Sequence, residues 1–103
     1  MWAQLIRVRL KPGQDEGLKR VYEQLQATEQ PGSGLIRSTL MRDQSDPNAI
    51  YMLVVFESEE KARAREDDPR RHDALQAVRA TMAEVYDGAP MFTDLIVVAE
   101  YRG

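Results

Sequence analysis

The chain has 103 residues and a formal net charge of −3, with 43% apolar and 30% charged residues and a pI near 5.1. It contains no cysteine and one histidine, which excludes disulfides, thiol nucleophiles, thiolate metal sites and any multi-histidine metal centre within one chain. Acids interrupt nearly every run of arginines, so nucleic acid is not an expected partner.

That length fits one domain spanning residues 1–103 around one core. Residues 2–10 alternate, with Trp2, Gln4, Ile6, Val8 and Leu10 on one face and Ala3, Leu5, Arg7 and Arg9 on the other. The arginines and the lack of a small-residue cleavage site make this stretch a strand and not a signal peptide. No apolar run reaches membrane-spanning length, so the expectation is a cytoplasmic protein with no membrane contact. "KPGQDEG" ends the strand and leads into a helix whose Leu18, Val21, Tyr22 and Leu25 form one stripe. "TEQPGSG" stops that helix, because proline and glycine do not continue it.

"GLIRSTLMR" and "AIYMLVVFE" read as two strands, and the "DQSDPN" between them is turn chemistry, which predicts an antiparallel hairpin. Arg37 and Arg42 fall on opposite faces of the first of these strands. Ser58 is placed to cap the next helix, with Glu59 and Glu60 in its first turn. Asp68-Pro69 marks a restart, the acid capping and the proline at the first helical position. The second segment carries Ala74, Leu75, Val78, Met82 and Val85 on one stripe. "DGAP" stops it, and "MFTDLIVVAEY", residues 91–101, is the last strand.

The order β-α-β-β-α-β is the split-βαβ pattern of an α+β, ferredoxin-like fold: a four-stranded antiparallel sheet with both helices on one face. The third strand is apolar on both sides, with Ile50, Met52, Val54 and Phe56 opposed to Tyr51, Leu53 and Val55. A sheet wetted on its second face alternates apolar and polar, and this one does not. Five such side chains, at about 1.5–3 kcal/mol each, suffice to drive association. A homodimer through the sheet face is therefore expected.

With the "KPG" closing the first strand, "FESEE" leading into a split helix, the "DP" break, "HDALQAVRATM" and an apolar terminal strand, the chain resembles the antibiotic biosynthesis monooxygenase-like domains of the dimeric α/β-barrel superfamily. The resemblance covers nearly the whole chain. It implies two sheets packed face to face, each protomer holding a small pocket between sheet and helices. Some members oxygenate phenols or hydroquinones without flavin, haem or metal; others degrade haem or isomerise small metabolites. No cofactor is implied for the first kind. Haem-degrading members share a pocket Asn, a Trp and a His, and the corresponding places here hold Ile6, Arg65 and Ala74 or Leu75, so haem is not expected.

The candidate site follows from these placements. His72 stands at the border of the apolar stripe near a helix start, either as a proton acceptor or as a surface histidine. Arg65 lies where many relatives carry a histidine; it cannot act as a base but can hold an anionic oxygen. Trp2, Gln4 and Tyr22 are expected to face a small apolar or aromatic ligand, Gln4 because an amide among apolar neighbours needs a partner. Trp2 equally closes a core edge, and Tyr22 equally packs with its hydroxyl in water. The run "KARAREDDPRRHD" reads as a solvated helical face in which Glu66, Asp67, Asp68 and Asp73 pair with Arg63, Arg65, Arg70 and Arg71. The expected activity is cofactor-independent oxygenation of a small aromatic or quinol metabolite. The other reading is a dimeric barrel that binds a small ligand without chemistry.

Overall fold

The computed structural model describes residues 1–103. Strand β1 (Trp2–Arg9), helix α1 (Asp15–Ala27), β2 (Leu35–Arg42), β3 (Ala49–Phe56), α2 (Glu59–Glu66), α3 (Pro69–Val85) and β4 (Met91–Ile96) follow one another along the chain. The sheet order is β2-β3-β1-β4, with every pairing antiparallel. This is the ferredoxin-like arrangement expected from the element order.

Local chemistry places the boundaries. In the β2–β3 turn the Asp43 carboxylate accepts from the Ser45 and Asp46 amides at 2.7 and 3.1 Å, and Asp46 accepts from Asn48. Ser58 accepts from the Lys61 amide and caps α2, and Asp68 accepts from the Arg70 amide and caps α3 with Pro69 following. A bulge at Ile36 shifts the register of β2, after which Arg37 sits opposite Val55 and Arg42 opposite Ile50. The two arginines thus lie on opposite faces, and Arg42 reaches Asp15 of α1 at 2.8 Å.

One face of the sheet packs on the helices. Its core is divided. The larger cluster joins Leu10, Leu18, Val21, Ile50, Val78, Val85 and Tyr86 beneath α1 and α3. The smaller holds Trp2, Val54, Phe56 and Ala62 beneath α2. The other face carries Leu5, Tyr51, Leu53, Met41, Met91 and Leu95, and no helix covers it.

Two expectations need correction. The last strand stops at Ile96 rather than running to residue 101. Its ladder partner β1 begins at Trp2, directly opposite Ile96, so nothing continues the ladder. The Val97 amide donates to the Met1 carbonyl at 3.3 Å, and Glu100 meets Arg37 of β2 at 3.3 Å. Residues 97–100 therefore run from the β4 edge towards β2 at the end of the open face where Ala3 and Val55 are buried. The second correction concerns α3. Ala74 is exposed, and the buried stripe runs from Arg71 through Leu75, Val78 and Met82 to Val85.

Candidate functional site

Between the helices and the inner face of the sheet lies a cavity of about 640 Å³, open at one side and lined mainly by apolar side chains. The sheet floor is formed by Gln4, Ile6 and Val8 of β1 with Met52, Val54 and Phe56 of β3. Tyr22 and Leu25 of α1, Arg65 of α2, and Leu75, Val78 and Met82 of α3 close it from above. Phe92 of the edge strand stands at the rim with 60% of its surface exposed. A space of this size, apolar with a few polar groups, suits a compact organic molecule.

Gln4, Tyr22 and Arg65 come together in this cavity; Trp2 and His72 do not line it. Trp2 is buried beside Phe56, with ring centroids 6.0 Å apart, and the Arg63 guanidinium lies 5.0 Å from its ring. It closes the end of the small core cluster. His72 is exposed on α3.

Gln4, Tyr22 and Arg65 each already have a protein partner. The Gln4 amide donates to Asp94 Oδ1 at 3.0 Å, and Arg63 donates to the other Asp94 oxygen at 2.9 Å. Those two bonds, Gln4's first, hold the Asp94 carboxyl below its ordinary pKa. Tyr22 Oη donates to the Ser38 carbonyl at 3.0 Å, which leaves its oxygen free to accept. Arg65 forms a two-pronged pair with Glu29, Nε donating to Oε1 at 3.1 Å and Nη2 to Oε2 at 2.7 Å, and lies over the Phe56 ring at 5.3 Å. Burial pushes the Glu29 pKa up, but hydrogen bonds from Arg65 and Ser33 and the charges of Arg65 and Arg71 together bring the carboxyl below its ordinary value.

Arg71, expected among the solvated arginines, is only 4% exposed. Its Nη1 donates to the Arg65 carbonyl and its Nη2 to Thr28 Oγ1, both at 3.3 Å. Its Nε is buried without a partner. Burial lowers its pKa, and the neighbouring Arg65 charge lowers it further, yet a guanidinium keeps its proton. No spacing signal distinguishes it from Arg70, since an arginine on a helix carries an apolar stem that packs on either kind of face. No group of three or more His, Asp or Glu side chains converges where it could hold a metal ion.

A two-layer ferredoxin-like domain with a ligand-sized cavity under its helices is the class that this geometry defines. The family described as antibiotic biosynthesis monooxygenase matches residues 1–82, and the chain belongs to that family. Solved structures share the fold. SnoaB, a cofactor-independent oxygenase from Streptomyces nogalater, is 18% identical, with 96% of this chain and 94% of that one aligned at a TM-score of 0.73. A Caulobacter crescentus protein named for the same family is 17% identical over 95% and 90% of the two chains, with a TM-score of 0.76. Another from Chloroflexus aurantiacus is 23% identical over 99% and 98%, with a TM-score of 0.67. Among curated proteins nothing matches. No helix is long and apolar enough to cross a membrane.

Proposed function

We propose that the chain is a cofactor-independent oxygenase-like protein acting on a compact phenol or hydroquinone. The observation that carries this reading is the cavity of about 640 Å³, apolar over most of its lining and edged by Gln4, Tyr22 and Arg65. An electron-rich phenolate reduces O₂ directly when water is excluded. A new C–O bond forms at a ring carbon bearing hydrogen, and the resulting hydroperoxide loses water to leave a carbonyl. One oxygen atom ends in the quinone and the other in water, the substrate itself supplying both hydrogens, so no external reductant is needed. Gln4 and Tyr22 orient the ring, and the Arg65–Glu29 pair fixes the cavity wall beside it.

A second reading has its own support. No histidine lines the cavity, and Arg65 is already matched by Glu29, which favours a barrel that binds a small ligand without reaction. Oxygen-electrode measurements on hydroquinones, naphthols and anthrones in flavin- and metal-free buffer separate the two. Substrate-dependent uptake above autoxidation is the expected result. Binding without uptake across the series leaves the second reading.

The uncovered sheet face carries a further part of the proposal, a homodimer of sheet against sheet. Leu5, Tyr51 and Leu53, half-exposed, and Met41, Met91 and Leu95, exposed, form an apolar surface there that no helix covers. Native mass spectrometry giving twice the chain mass is the expected outcome, and a dilution-resistant monomer excludes it.

A further inference from the structure

Beside the apolar cavity lies a smaller concavity of about 190 Å³ between the 30–33 loop and the junction of α2 with α3, and all of its lining residues but Pro31 and Ala64 are polar, charged or glycine. Lys61, Arg65, Arg70 and Arg71 all border it. Three of these cations are matched: Lys61 by Glu57, Arg65 by Glu29 and Arg70 by Asp68. Arg71 is not. The acids whose charges act on it are Glu29, Asp68 and Glu66, and each is engaged by another arginine, Arg65, Arg70 and Arg63 respectively. The molecule thus buries one guanidinium with a partnerless Nε and no carboxylate of its own. Such a charge is costly unless an anion completes it. Of its five donors, two are used within the protein.

Arg71 also borders the apolar cavity, so it stands at the partition between the two spaces. We propose that Arg71 anchors the carboxylate of an aromatic acid whose ring lies in the apolar cavity. The planar fork of a guanidinium matches a carboxylate in geometry as well as charge. The rings of Tyr22, Phe56 and Phe92 border the space that the aromatic body fills. This inference rests on the apolar cavity being the small-molecule site and adds the charge its ligand carries.

The test is thermal unfolding of the full chain with sodium benzoate, with benzyl alcohol as the uncharged analogue, and with inorganic phosphate, on the wild type and on Arg71→Met. Benzoate at about five times its dissociation constant raises the wild-type Tm by roughly 4–8 °C, and the other two shift it far less. In Arg71→Met the benzoate shift disappears, while the Tm without ligand stays at or above that of the wild type, because an apolar side chain replaces an unmatched buried charge. Equal shifts from benzoate and benzyl alcohol overturn the anchor and leave the cavity as a small-molecule site. Phosphate acting as strongly as benzoate overturns the aromatic acid in favour of a free oxyanion. No shift from either aromatic probe removes the cavity reading and this inference together. Should Arg71→Met not fold, the comparison of acid with alcohol on the wild type decides. Each readout is binding, independent of any oxygen uptake.

Discussion

Tyr22 and Asp68 illustrate how individual polar groups serve this fold. The Tyr22 hydroxyl gives its proton to the Ser38 carbonyl and so ties α1 to β2. Tyr22→Phe is expected to lower stability in urea by about 0.5–1.5 kcal/mol, the net worth of such a bond, without changing the circular dichroism. Asp68 caps α3 and is gripped by the Arg70 guanidinium, whose hydrogen bond brings its pKa from 3.8 down to about 2. Because the folded value lies below the unfolded one, Asp68 stabilises the fold above the unfolded pKa, and that contribution fades as pH falls from about 4 through about 2. In Asp68→Asn the cap survives but the titration does not. Tm plotted against pH should therefore fall less steeply in the variant across that window.

Helices α1 and α3 meet where Gly17 faces Val85. A Cβ built on Gly17 stands 2.6 Å from Val85 Cγ2 and 2.6 Å from Gln14 Oε1, and Val85 has no room to retreat inside the larger core cluster. Gly17→Ala in an open helix gains about 1 kcal/mol, whereas overpacking costs about 1–3 kcal/mol. The expected result is a net loss of about 1 kcal/mol in denaturant unfolding; a gain would mean that the two helices separate more easily than their packing suggests. At this scale much was legible in the sequence. The stripe Leu18–Val21–Tyr22–Leu25, the Asx turn of "DQSDPN" and both caps announce themselves through short-range chemistry, and the structure repeats them. The end of β4 was not legible, since it is set by where a strand distant in sequence begins. The stripe of α3 was legible from Leu75 to Val85 but not in its first turn, where the stem and donors of Arg71 let a charged residue occupy a core position and Ala74 faces out.

For the molecule as a whole, the two-sided apolar character of β3 was the informative feature of the sequence; of its outer residues Tyr51 and Leu53 stay half-exposed on the face that no helix covers, while Val55 is buried. Under the proposed sheet-to-sheet dimer, Leu53→Glu places a charge at the centre of that face. Size-exclusion chromatography should then give a monomer with unchanged secondary structure. An unaltered elution volume would place any association elsewhere. The location of the cavity was partly legible: Gln4, Tyr22 and Arg65 reach it, while His72 and Trp2 stand outside it, His72 because a helical wheel gives direction around an axis but not depth beneath a neighbouring element, and Trp2 because it sits at the strand's end, packed on Phe56.

The division of the core has a consequence of its own. The apolar cavity lies between the cluster under α1 and α3 and the cluster under α2, touching Val54, Phe56 and Ala62 of one and Val78 and Tyr86 of the other. The two clusters share no buried residue, so the α2 end is expected to open at a lower free energy than the rest. A bound molecule bridges them. Occupancy then converts two weakly linked cooperative units into one, and amide exchange in α2 slows towards the rate of global unfolding. Under the proposed small-molecule reading, a ligand of whatever chemistry completes the interior that the chain leaves unfilled.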